Sequence, residues 1–245
     1  MILDSLLSTI EDKGAAHVVL LDPDRKDEGT LVKRVENANM SGVDALFVGG
    51  SLIMDLNCTE RVKKIKSISN IPVILFPGGV GQLNSHYDAM LFMSVISGRN
   101  PHYLIGEQVL AAPLVKEMGI ETIPTGYILM DGGAGSTVEF ISGTRPIPMD
   151  RIDIAVAHSL AGQFLGMRLI YLEAGSGAKE PVSIPVIEAV SSAIDVPIIV
   201  GGGINTPDKA RSAVDSGASV IVTGTVLEDN PDHMKEFVDA IHIGA

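Results

Sequence analysis

A single cysteine, Cys58, stands in a chain of 245 residues. No disulfide can form within the chain, and a thiolate metal cluster is excluded. Cys58 opens a helix with no base placed beside it, so an inert thiol is expected. Basic residues are scarce: 18 Lys+Arg against 30 Asp+Glu leave a formal net charge of −12. Without clustered cations a phosphate backbone has little to hold it, which argues against a nucleic-acid binder. No apolar run approaches the ~20 residues that span a bilayer, and the longest, such as Ala89–Ser97, are strand-sized. The first residues, MILDSLLSTIEDK, lack a basic leader and carry acids early. They are expected to form a short amphipathic helix of a soluble, cytoplasmic protein rather than a signal peptide. His17, His86, His102, His158, His233 and His242 show no metal-binding spacing such as HExxH. No lysine closes a core strand, which disfavours Schiff-base chemistry.

Apolar residues, by contrast, make up 46% of the chain. They fall into eight short runs: His17–Pro23, Ala45–Gly50, Pro72–Pro77, Ala89–Ser97, Glu121–Met130, Met167–Ala174, Pro197–Gly202 and Ser219–Thr225. Each is continuous rather than alternating, as expected of parallel strands covered on both faces. Helical patterns lie between them: Asp27–Asn39, Cys58–Ser69, Ile105–Met118, Met149–Leu165, Pro185–Ala193, Pro207–Ser216 and Pro231–Ile241. Two begin with Thr-Pro-Asp or Asn-Pro-Asp, a cap followed by proline in the first turn. Several end near Gly42, Gly119, Gly166 or Gly217. Eight strands alternating with helices predict one (β/α)8 barrel domain over residues 1–245. The rival, a doubly wound open sheet, lacks its GxGxxG turn after the first strand, which reads LDPDRKDEG. The stretch GGVGQLNSHYD (78–88) is a poor helix, so the third helix of the ring is expected to be missing or replaced by a loop.

Barrel enzymes carry their chemistry at the C-terminal ends of the strands. Here those ends hold Asp22 and Asp24, Ser51, Pro77-Gly78-Gly79, Arg99-Asn100, the YLEAGSG segment, Gly201-Gly202-Gly203 and Thr223-Gly224-Thr225. Loops after strands 7 and 8 often bind phosphate. Glycines at Gly202, Gly203 and Gly224, with Thr225, let backbone N–H groups approach an anion; the plainer reading is tight turns. Glu173 is an acid at a strand end, placed to take a proton or bind a hydroxyl, or else paired with a neighbouring cation. Tyr171 is either a hydrogen-bond donor to the same ligand or an ordinary core aromatic. Asp22 and Ser51 on adjacent strand ends make a sparse oxygen set for Mg²⁺, with Asp24 as a weaker candidate; otherwise Asp22 caps the turn before Pro23. The same strand-7 and strand-8 loops would serve a phosphosugar isomerase or lyase, the alternative function, but that chemistry needs an acid–base pair or lysine across the mouth, and the strand ends offer Glu173 and Asp22 with no clear second partner.

The motifs LLDPD (20–24), FVGGS (47–51), ILFPGG (74–79), SGRNPHYLIGEQ (97–108), YLEAGSGA (171–178), VGGGI (200–204) and VTGT (222–225) run in order along the whole chain. Together they closely resemble the geranylgeranylglyceryl phosphate synthase family, archaeal prenyltransferases that include bacterial heptaprenylglyceryl phosphate synthases. YLEAGSG with the DPD and FPGG elements is specific; GGGI and TGT are shared by many phosphate-binding barrels.

The resemblance implies a barrel with one helix missing. It implies transfer of a geranylgeranyl group from geranylgeranyl diphosphate to the sn-3 hydroxyl of sn-glycerol 1-phosphate, with Mg²⁺ as cofactor, by a homo-oligomer (dimer or hexamer). Carried over by motif, Asp22 and Ser51 hold the metal. Tyr171, Leu172, Glu173, Ala174, Gly175, Ser176 and Gly177, with Gly202, Gly203, Gly224 and Thr225, bind the glycerol phosphate, and Glu173 is the catalytic residue. Some members carry lysine two residues before the DP aspartate; here Leu20 stands there. Its diphosphate contacts then fall to Arg25, Lys26, Arg99 or the metal. There is no DDxxD pair as in chain-elongating prenyl synthases. The prenyl tail is expected to cross the barrel top between strands 2 and 4, where Phe76, Pro77, Tyr87, Phe92 and Met93 are candidates, with His102 and Tyr103 at the pocket.

Overall fold

A computed structural model describes residues 1–24, 28–229 and 233–244. Arg25 and Lys26, and the expected helix starts at Asp27 and Pro231, lie outside them. Eight strands, β1 (Ala16–Leu21), β2 (Ala45–Val48), β3 (Val73–Leu75), β4 (Ala89–Val95), β5 (Glu121–Leu129), β6 (Leu169–Glu173), β7 (Ile198–Gly201) and β8 (Val220–Thr223), close into a barrel in chain order. Every neighbouring pair is parallel, including β8 with β1, where His17 sits opposite Ile221.

The continuous apolar runs are explained by two cores, one on each face of the sheet. Side chains alternate across a strand. Val18, Phe47, Ile74, Leu91, Ile123, Leu169 and Ile199 fill the barrel interior. Val19, Leu46, Leu75, Ile128, Ile170, Val200 and Ile221 pack outward against Val35, Val62, Ile65, Val186 and Phe237 of the helices.

Helices α1 (Ile2–Lys13), α2 (Glu28–Ser41), α3 (Cys58–Ile68), α4 (Glu107–Met118), α5 (Thr137–Ser142), α6 (Ile152–Phe164), α7 (Ile184–Ala193), α8 (Pro207–Asp215), α9 (Thr225–Asp229) and α10 (Met234–Ile241) complete the description. Helix α1 is the amphipathic N-terminal segment, and its Leu3 and Leu6 close the floor of the barrel interior. Burying each contributes roughly 1.5–3 kcal/mol. Its first N–H groups, which lack intrahelical partners, are capped from 118 or more residues away: Glu121 at the start of β5 accepts from Ile2 N–H at 2.5 Å and from Leu3 N–H at 3.0 Å.

Between β3 and β4 the chain makes only a single 3₁₀ turn, Val80–Gln82, where a barrel has its third helix. The helical pattern after β4 resolves into a π-helical turn, His102–Gly106, that runs into α4. Two short helices, α5 and α9, were not expected. Ser136 caps α5 by accepting from Glu139 N–H, the S-x-x-E pattern at 136–139 that marks a helix start.

Candidate active site

The C-terminal ends of the strands surround an open cavity of about 680 Å³. Its base is aromatic. Phe76 packs on Phe47 with ring centroids 6.1 Å apart, on Tyr171 at 5.7 Å and on Tyr127 at 6.4 Å, and Tyr127 meets Tyr171 at 5.4 Å. Register explains the last contact, because Tyr127 of β5 stands opposite Tyr171 of β6 and shares its inward phase.

Glu173 ends β6 directly above these rings and is 7% exposed. A carboxylate surrounded by rings loses hydration, which favours its neutral form. Burial pushes the Glu173 pKa up to about 7, partly opposed by the Gly175 N–H, which donates to Oε1 at 2.6 Å, and by the nearby Tyr171 O–H. The Tyr171 hydroxyl is buried beside this carboxyl, yet it does not reach hydrogen-bonding geometry with any described group. Burial, first, and the Glu173 charge hold its pKa well above the usual phenol value. It is therefore a neutral donor aimed at the same space.

The strand-7 loop lies against that carboxyl because it has no side chains. Gly202 has φ +80°, and a Cβ there would sit 2.5 Å from Glu173 Oε1 and 2.7 Å from Gly175 N. A Cβ at Gly201 would meet the Tyr171 hydroxyl at 2.5 Å. Gly202, Gly203, Gly224 and Thr225 all line the cavity, as do Gly175, Ser176 and Gly177. These tight turns thus also bring bare backbone to the cavity wall.

Across the mouth, Asp22 and Ser51 also line the cavity. Asp22 Oδ1 accepts from Asp24 N–H at 2.9 Å. Their two loops are stitched together twice. Asp24 Oδ2 accepts from Met54 N–H at 3.1 Å. Buried Arg61 of α3 donates to the Pro23 carbonyl at 2.9 Å and to Asp55 Oδ2 at 2.7 Å. Asp24 Oδ1 is buried without a hydrogen-bond partner among the described residues. An oxygen-only set with one unsatisfied carboxylate atom suits a hard cation. Among the described residues no three His, Cys, Asp or Glu side chains form a complete cage, so such an ion would take its remaining ligands from water and phosphate oxygens.

Four residues expected at the site point elsewhere. Leu172 and Ala174 alternate outward into the core beneath the helices, and the Ala174 N–H is spent on the Gly201 carbonyl. Arg99 is turned away from the cavity, donating to the Gly98 carbonyl at 2.6 Å and lying 3.3 Å from His158. Tyr87 is buried under α3 near Cys58 rather than at the top of the barrel. Burial, chiefly, also pushes the Cys58 thiol pKa up, as suits an inert side chain. Unforeseen lining residues are Tyr127, Asn205 and the Ser136–Val138 start of α5. Tyr127 was recoverable from its strand phase, and Ser136 from its capping pattern.

Two small apolar cavities, about 50 and 60 Å³, continue from the mouth toward the place of the missing helix. Phe76 and Ser51 border the first of them and the main cavity together; Pro77, Met93 and Tyr103 border both small ones, and Phe92 the second.

A PcrB family model matches residues 8–242. The chain belongs to the PcrB family. Within it, the geranylgeranylglyceryl phosphate synthase of Chitinophaga pinensis is 45% identical over 93% of this chain and 90% of its own. That of Thermococcus gammatolerans is 48% identical over 88% and 85%. Among solved structures, the (S)-3-O-geranylgeranylglyceryl phosphate synthase of Thermoplasma acidophilum, in complex with its substrate sn-glycerol-1-phosphate, superposes with a TM-score of 0.93. It is 34% identical and covers 99% of this chain and 98% of that one. The superposition bears out the closed eight-stranded barrel.

Proposed function

We propose that this PcrB-family protein transfers a geranylgeranyl group from geranylgeranyl diphosphate to the sn-3 hydroxyl of sn-glycerol 1-phosphate, making the first ether bond of archaeal-type membrane lipids. The observation that carries this reading is a desolvated carboxyl, Glu173, held between a glycine cradle and an apolar extension of the same mouth.

The phosphate of glycerol phosphate sits on the backbone of Gly202, Gly203, Gly224 and Thr225. Its free hydroxyl then lies beside Glu173 and the Tyr171 O–H. Glu173 orients that hydroxyl and takes its proton as the new C–O bond forms and the allylic C–O bond to diphosphate breaks. The carbon is cation-like at that point, so a modest nucleophile suffices. Mg²⁺ held by Asp22 and Ser51, with Asp24 behind them, would neutralise charge developing on the departing diphosphate. The aromatic base of the cavity excludes water from the allylic carbon, and the prenyl tail follows Phe76, Pro77, Met93 and Phe92 into the apolar extension. The net negative charge of the chain does not forbid two anionic substrates, since amide cradles act locally while distant charges are screened over about 8–10 Å.

A phosphosugar isomerase or lyase is not favoured. It needs a second acid–base group facing Glu173 near the sugar, and the cavity wall there is aromatic. That the protein works in the cytoplasm is a further proposal, as is its assembly as a dimer or hexamer, which the more than half exposed Ile105, Val109 and Leu110 on the π turn and α4 support. No described helix is long and apolar enough to cross a membrane.

Incubation with labelled sn-glycerol 1-phosphate, Mg²⁺ and prenyl diphosphates of graded length should move label into an extractable lipid, with geranylgeranyl diphosphate the preferred donor. Label that stays in the aqueous phase with every donor would end the proposal. Asp22→Ala should raise the half-saturating Mg²⁺ concentration at least about tenfold, the scale of losing one carboxylate contact. An unchanged Mg²⁺ titration would discard the metal assignment.

A further inference from the structure

The loop between β3 and β4 has no helix to secure it, so side chains must. Gln82 Nε2 donates to the Gly50 carbonyl at 2.7 Å, which fixes one end of the loop next to Ser51. The other tether comes from across the apolar groove. Glu107, the first residue of α4, accepts from the Val80 N–H through Oε2 at 2.7 Å. Its Oε1 lies 2.8 Å from His102 Nε2, at the opposite end of the π-helical turn. One carboxyl therefore grips both banks of the groove: the Gly79–Val80 loop on one side, the turn bearing Tyr103 on the other. The fit is close, since a Cβ on Gly79 would lie 3.3 Å from Glu107 Oε2. The Tyr103 turn is also pinned to β4, where Ser94 Oγ donates to the Leu104 carbonyl at 2.7 Å and Gln108 Nε2 donates to the Met93 carbonyl. The π turn is thus rigid toward its own strand and tied to the facing loop through Glu107. Single-turn π-helical segments are frequent at functional sites.

We infer that Glu107 is a positioning residue for the prenyl chain. Its clasp stands in for the missing helix, holds Val80 at a set distance from Tyr103, and so fixes the width of the groove and the prenyl chains it accepts. The inference rests on the prenyl-transfer reading above.

The test uses the full-length protein in three forms: wild type, Glu107→Ala and Glu107→Gln. In Glu107→Ala the KM for geranylgeranyl diphosphate should rise on the order of tenfold, the worth of one half-buried hydrogen bond. The KM for glycerol phosphate and kcat should each move less than about threefold. Its preference between C15, C20 and C25 diphosphates should flatten. Glu107→Gln keeps a carbonyl to accept from Val80 N–H and should restore the wild-type KM. Hydrogen–deuterium exchange at the Val80 amide, without any substrate, should quicken in Glu107→Ala and not in Glu107→Gln. An unchanged prenyl KM in Glu107→Ala, an equal rise in both KM values, or failure of Glu107→Gln to rescue would each overturn the inference. If the wild type forms no prenylated product, the functional reading fails instead, and the exchange arm still reports on the clasp.

Discussion

Glu173→Gln is expected to lower kcat at least about tenfold, since a positioned general base typically contributes 10²–10⁴-fold, and to raise thermal stability above neutral pH. The two effects share one cause. Burial among Phe76, Tyr127 and Tyr171 costs the ionised carboxyl its hydration, which is why its pKa is pushed up to about 7. A carboxyl that holds its proton more tightly when folded makes the native state bind more protons than the unfolded one between its ordinary pKa of 4.5 and about 7. Stability from this group is therefore fully present below pH 4.5 and is lost as pH rises to about 7. At about 1.4 kcal/mol per pKa unit the loss reaches about 3 kcal/mol. Glutamine stays neutral and keeps an oxygen for the Gly175 N–H, so it escapes that loss. Melting curves of wild type and Glu173→Gln should coincide near pH 4.5 and separate toward pH 8, the variant melting higher. Wild-type turnover should rise with pH through about 7 as the base is freed. Wild-type-like turnover in Glu173→Gln would remove this residue from the chemistry. Parallel melting curves at all pH values would deny its burial.

Gly202→Ala should be as damaging without touching a functional group. A Cβ at φ +80° is strained by about 1–2 kcal/mol, and it would sit 2.5 Å from Glu173 Oε1. Gly175 N and O lie at 2.7 and 2.8 Å as well, so the carboxyl and the glycine backbone beside it are displaced together. A misplacement of about 1 Å at a reacting centre can cost 10²-fold, and kcat/KM for sn-glycerol 1-phosphate should fall at least about that far. Gly119→Ala is the control. Gly119 has a similar φ of +70° in the turn after α4, but a Cβ there would meet nothing within 4 Å. It should lose only the strain of about 1–2 kcal/mol, with kinetics unchanged. If both variants retained turnover within threefold, the strand-7 loop would be a turn and not a substrate cradle.

How far the sequence carried differs from element to element. The eight strands stood out because each is buried on both faces, which forces an unbroken apolar run, and such runs are local. The motif helices were legible through caps and terminal glycines, which are also local. The inward or outward phase of a strand end is not. Leu172 and Ala174 sit in the same segment as Glu173, yet they face the helices because the register of β6 against β5 and β7 turns every second residue away. Arg99 looked like a free cation near an anion site, and only the fold shows its guanidinium bound to its own loop.

Order along the chain was enough for the barrel, the absent third helix, the glycine-rich strand ends and the acid at Glu173, since these depend on residue type and spacing. Distance in space was needed for everything that depends on which remote groups meet. The rings under Glu173 come from just past β3 and from β5 and β6, the cap of α1 comes from β5, and the Glu107 clasp joins a loop to a helix on the far side of a groove. Proton affinity, desolvation and groove width arise from such encounters between distant segments, and no pattern of neighbours along a polymer encodes them on its own.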